Sequence, residues 1–152
     1  MSFFADRLAE AVRRKGPLCV GIDPRWESLP KAIHDKLTGV PAEHRPGLGY
    51  WEFGKKVIEL VRPYCGVVKP QSAFFESAGL PGFDTLRMLL EEARLCGMVT
   101  ILDAKRGDIA STADAYAQAA FGPIWNADAL TINPYLGRDA VEPFLSAATG
   151  MR

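Results

Sequence analysis

Four charged side chains crowd into six residues of the stretch ILDAKRGDI, residues 101–109: Asp103, Lys105, Arg106 and Asp108. A carboxylate beside an ammonium group can hold charge as it develops on a substrate and then deliver a proton. The apolar run MVTIL leads straight into this cluster, so the charges lie at the end of what reads as a buried strand. Side chains alternate along a strand. Asp103 and Lys105 therefore share one face, and Leu102 and Ala104 take the other. Gly107 is expected to allow a tight turn, with Asp108 following on the loop. One buried charge alone would be prohibitive, but alternating signs can satisfy one another. Lys69, at the end of another candidate strand, is within reach in principle.

A purely structural reading competes with this one. Asp108 could cap the following turn, Arg106 could be solvated, and Asp103 with Lys105 could be a plain ion pair at a rim. The functional reading gains from Asp23 and Lys69, which stand at equivalent ends of other strands. Charges from several strand ends converging on one mouth are how a barrel active site is built.

The elements that must position these groups follow from hydrophobic patterning. Four apolar runs, at 17–24, 64–70, 97–105 and 127–135, are rich in Val, Ile, Leu or Thr and close on turn residues. Each is continuous rather than alternating, as in a strand covered on both faces. Helical patterns separate them. One places Phe53, Val57, Leu60 and Val61 on one side and closes at Pro63. The next groups Leu86, Leu89, Leu90 and Ala93 and stops at Gly97. A third is expected to start at a Ser111 cap, and a fourth follows Gly137 with Pro143 inside it. Residues 39–49 read as a loop. Strand and helix in alternation predict an α/β fold with a parallel sheet and all strand C-termini at one end. The residues at that end are Asp23, Lys69, Asp103, Lys105 and Asn133. No G-x-G-x-x-G or Walker A spacing is present, so a nucleotide-cofactor fold loses ground.

Eighteen acidic residues balance eighteen basic ones, which argues against a nucleic-acid or membrane-surface partner by bulk charge. The apolar runs are too short to span a bilayer. Charges from Asp6 onward interrupt the N-terminus, so it does not read as a signal peptide. It reads as a docked helix with Phe4, Leu8, Ala11 and Val12 on one face. Cys19, Cys65 and Cys96 sit in or beside apolar runs without a C-x-x-C, and buried free thiols in a reducing cytoplasm are expected. His34 and His44 read as surface histidines rather than metal ligands.

Taken in order, GIDP, VVKPQSAFFE, DAKRGDI and NPYLGRD resemble orotidine 5′-phosphate decarboxylase over essentially the whole chain. The resemblance implies a (β/α)8 barrel, usually a homodimer with two sites at its interface. It implies decarboxylation of orotidine 5′-phosphate to UMP without metal or organic cofactor. In that pattern Lys105 is the proton donor to C6 of the pyrimidine, and Asp103 sits beside the substrate carboxylate. Lys69 belongs to the same network, and Asp108 reaches the partner subunit's site with Ile109 and Thr112 near it. Asp23 contacts the ribose or pyrimidine region. Asn133 is added as a rim candidate from its strand-end position.

A complete barrel of this kind takes about 250 residues, with phosphate contacts after strands 7 and 8. This chain offers four βα units, so residues 1–152 are expected to be the N-terminal part of a single barrel domain. The family's phosphate-binding arginine and gripping loop find no counterpart in it. Alone, the chain is expected to be inactive or weakly active and poorly soluble as a monomer. Two rival functions remain open. One is a metal-dependent sugar-phosphate decarboxylase or aldolase of the same barrel group, which places an acidic metal ligand where this chain has Lys69. The other is a non-catalytic interaction protein.

Overall fold

All four apolar runs become strands in the computed structural model of the chain, which describes residues 3–150. They are β1 (Cys19–Ile22), β2 (Val67–Pro70), β3 (Val99–Arg106) and β4 (Ala129–Ile132). Every pairing is parallel and the order is β1-β2-β3-β4, so each strand lies beside its predecessor after a helical crossover. The crossovers are α2 (Lys31–Lys36) and α3 (Arg45–Val61), then α4 (Ser72–Glu76) and α5 (Gly79–Leu95), then α6 (Ala110–Phe121). Helix α1 (Phe4–Lys15) precedes the sheet and α7 (Arg138–Gly150) follows it. This is the expected α/β alternation with all strand C-termini at one end. Among the described residues, no helix is long and apolar enough to cross a membrane.

One face of the sheet is the core. Ile22, Val68 and Leu102 are essentially inaccessible there, packed with Ile58, Phe75, Leu86, Leu89 and Leu90 from the helices. Burying a Leu or Phe side chain is worth about 1.5–3 kcal/mol, so this layer anchors the strands whose ends carry the charges. The register Gly21↔Lys69 puts Asp23 and Lys69 on the opposite face, with Asp103 and Lys105 of β3.

Several local expectations are corrected. Helix α5 buries Leu86, Leu89, Leu90 and Ala93 as its pattern requires, and Gly97 stops it at φ 70°. Helix α3, however, begins at Arg45 with a proline in its first turn, so residues 45–49 are helical rather than loop. Its buried stripe is Gly47, Gly49, Tyr50, Gly54 and Ile58, whereas Leu60 is exposed. Glycine leads the stripe because α5 approaches closely: a Cβ on Gly54 would stand 2.6 Å from Leu89 Cδ1. Helix α6 starts one residue before Ser111, with Ile109 at its N-cap and no side-chain cap. Pro143 lies inside α7 without ending it.

Helix α1 forms where expected but buries no residue fully, and Phe4 and Val12 remain exposed. Polar contacts fix it instead. Arg7 pairs with Asp128, and Lys15 Nζ donates to Arg62 O at 2.6 Å. Asp128 in turn accepts from Thr100 N and Oγ1 at 2.8 and 3.0 Å, tying the helix to the foot of β3. The cysteines are free, as expected, but only Cys65 is buried. Cys19 is exposed because β1 ends the strand order and its pleat turns Cys19 away from the helices. His34 is half-buried edge-on against Trp26, with ring centroids 4.4 Å apart, and His44 is exposed.

Candidate active site

The site is built on the C-terminal ends of β2, β3 and β4. Asp103 is buried, yet its side chain carries three contacts, one from each of three strands. Lys105 Nζ donates to Oδ1 at 2.6 Å and Lys69 Nζ to Oδ2 at 2.5 Å. Thr131 Oγ1 donates to Oδ1 at 2.8 Å. Gln71, just past β2, adds a backbone bridge to Asp103. Burial opposes ionisation of Asp103, but the hydrogen bonds from Lys105, Lys69 and Thr131 outweigh it and hold the carboxyl at about 2. The bond to Asp103 likewise raises the Lys69 pKa against the opposing effect of burial, with Asp23 adding to the rise. The cluster is thus an anion clamped between two cations at neutral pH. The cations differ in freedom: the Lys69 side chain is 32% exposed and that of Lys105 is 63% exposed. Lys105 is therefore the group placed to reach into the mouth.

The β3 backbone is irregular at this point. Leu102 pairs with Leu130, but Arg106 pairs with Ile132, so β3 spends four steps where β4 spends two. The surplus is taken up as a bulge, and Lys105 adopts φ 49°, a left-handed conformation unusual outside glycine. Ala104 N and Lys105 N both donate to Thr131 Oγ1, at 3.1 and 3.0 Å. Gly107 has no positive φ, which corrects the reason expected for it. Glycine stands there because Asn133 is too near: a Cβ would lie 2.9 Å from Asn133 O.

Arg106 is not a solvated charge. It pairs with Glu76 at the end of α4 and stacks over Tyr116 of α6, 5.0 Å from the ring centre. Its carbonyl accepts from Asn133 N at 2.8 Å. The Asp108 carboxylate accepts from the N–H of Ile109 at 2.8 Å, at the entrance to α6. Ile109 is 58% exposed, and Thr112 is exposed in the first turn of α6. Asn133 Oδ1 accepts from Tyr135 N at 3.0 Å and shapes the loop after β4. Asp23 is exposed just past β1. The structure therefore brings Asp103, Lys105 and Lys69 into direct contact and leaves Asp23, Asp108, Ile109, Thr112 and Asn133 on the surrounding rim. Thr131 was missed by sequence reasoning. Its only signal was the strand alternation that sets it two residues before Asn133.

Comparison with known proteins places the chain in a family. The family described as orotidine 5′-phosphate decarboxylase / HUMPS matches residues 16–152. A curated orotidine 5′-phosphate decarboxylase of Rhodopirellula baltica is 41% identical over 152 residues, covering 95% of this chain and 50% of that protein. One from Streptomyces coelicolor is 39% identical, covering 97% of this chain and 51% of that protein. The solved Leishmania donovani OMP decarboxylase superposes with a TM-score of 0.77 at 37% identity, over 95% of this chain and 50% of that one. The chain thus spans about half the length of the curated relatives it matches. The match runs through all four strands and through the residues of the charged cluster, and on it the chain belongs to the orotidine 5′-phosphate decarboxylase / HUMPS family.

Proposed function

We propose that this chain supplies the proton-donating half of an orotidine 5′-phosphate decarboxylase, converting orotidine 5′-phosphate to UMP without metal or organic cofactor. One observation carries the reading: a buried Asp103 carboxylate holds a different ammonium group on each oxygen at the strand ends of a chain of this family. Breaking the bond from C6 to the carboxylate leaves an electron pair on C6 and releases CO2. No ring position delocalises that pair well, so the catalyst must stabilise it where it forms. The Lys105 ammonium does so by its field and then gives C6 a proton, ending as the neutral amine. Asp103 aims Lys105 through the bond to Oδ1, and Lys69 neutralises the other carboxylate oxygen.

Enzymes lower barriers by roughly 8–23 kcal/mol, more than one ion pair supplies. Binding of the remote phosphate must contribute. In barrels that grip follows strands 7 and 8. We therefore place residues 1–152 as the first four βα units of a single barrel whose phosphate site lies outside them. Asp23 faces the ribose or pyrimidine and Asn133 lines the rim. Asp108, with Ile109 and Thr112, serves a partner subunit's site in a cytoplasmic homodimer. A metal-dependent sugar-phosphate reaction is disfavoured because the Lys69 ammonium occupies Asp103 Oδ2, where a divalent cation would need the oxygen.

The test joins residues 1–152 to the second half of the Rhodopirellula baltica relative and follows orotidine 5′-phosphate. Turnover that survives a chelator is expected. A folded, UMP-binding barrel without turnover contradicts the reading, and turnover abolished by chelation would contradict its metal-free chemistry.

A further inference from the structure

We propose that Thr131 is the positioning residue for Lys105, fixing both the backbone that carries the ammonium group and the carboxylate that aims it; for turnover, this rests on the decarboxylase reading. A hydroxyl has one proton and two acceptor sites. Thr131 Oγ1 uses all three. It accepts from Ala104 N and Lys105 N at 3.1 and 3.0 Å and donates to Asp103 Oδ1 at 2.8 Å. These bonds meet the β3 bulge where the ladder to β4 slips and Lys105 holds φ 49°. A left-handed lysine persists only where its surroundings over-determine it. The two N–H donors directed at one hydroxyl supply that constraint.

The same oxygen also sets the acid. Oδ1 of Asp103 receives Thr131 Oγ1 and Lys105 Nζ together, while Oδ2 receives Lys69. The carboxylate cannot rotate about its bond without breaking the Thr131 contact. One side chain of β4 thereby couples the Lys105 backbone to the oxygen its own ammonium touches. A threonine suits the place because its β-branched side chain holds few χ1 rotamers in a strand. Valine would keep the shape and lose all three bonds. Serine would keep the bonds with a looser rotamer.

The test compares Thr131→Val and Thr131→Ser at two levels. In the 152-residue chain, amide hydrogen exchange at Ala104 and Lys105 and the Lys105 Cα shift read the backbone. Valine is expected to speed both amides at least about tenfold and move the Cα shift out of the left-handed range, with serine restoring both. In the completed barrel, valine is expected to lower kcat about 10- to 100-fold with KM nearly unchanged, and serine to recover most of it. Unchanged exchange and Cα shift in Thr131→Val overturn the proposal, as does parental kcat in that variant. A parent barrel with no turnover refutes the decarboxylase reading, and the backbone measurements still decide the role of Thr131.

Discussion

Replacing Asp103 with Asn should remove a defined part of the acid sensitivity of this fold. The Asp103 carboxyl titrates at about 2, against an ordinary value of 3.8. Each tenfold difference in proton affinity is about 1.4 kcal/mol, so the ionised cluster contributes about 2 kcal/mol at neutral pH. A depressed carboxyl stabilises the fold fully above its unfolded value. That contribution should therefore be complete above about pH 4 and lost progressively as pH falls through about 2. Asp103 itself is only 6% exposed, but the Lys105 side chain is 63% exposed, so solvent screening makes about 2 kcal/mol a ceiling. The assay is urea unfolding of parent and Asp103→Asn at steps between about pH 6 and about pH 2. The stability gap between them should shrink by up to about 2 kcal/mol across the lower half of that range. A constant gap would refute the reasoning, because the clamp would then hold neutral and charged carboxyl equally well.

Asp128→Ala should cost about 3 kcal/mol in urea unfolding, because Thr100 N and Oγ1 lose their buried acceptor and α1 loses its Arg7 anchor; a cost below about 1 kcal/mol would show that α1 is held by other contacts. Gly107→Ala should destabilise the chain by about 1–3 kcal/mol, since its Cβ would meet the Asn133 carbonyl at 2.9 Å. The amide signals of Asp108 and Asn133 should move together in that variant, and silence at Asn133 would contradict the contact.

The strand and helix order could be read from the sequence because each strand is one unbroken apolar run and α5 repeats its leucines at helical spacing. The buried side of α3 could not. Its stripe is largely glycine, which carries no hydrophobic signal, and it faces inward where Pro81 and Leu89 of α5 and Trp26 come close. At the site, alternation along one strand placed Asp103 beside Lys105, and equivalent strand ends suggested Lys69. Thr131 stayed hidden because its role depends on how β3 slips against β4, a property of two segments nearly thirty residues apart. In sequence it is an ordinary β-branched residue in a strand. Gly107 showed the opposite error: a glycine suggests a turn, whereas here it makes room for a neighbouring carbonyl. Cys19 looked buried by composition and is exposed, because a run of apolar residues does not tell an edge strand from an inner one.

The most direct measurement of the central claim is turnover of orotidine 5′-phosphate by the completed barrel carrying Lys105→Ala, taken beside its affinity for UMP. The predicted result is loss of turnover by at least about a thousandfold, the range of a lost general acid that also stabilises charge, with UMP binding still measurable. Turnover equal to the parent's would contradict the assignment of Lys105 as the proton donor and with it the chemistry proposed for the charged end of β3.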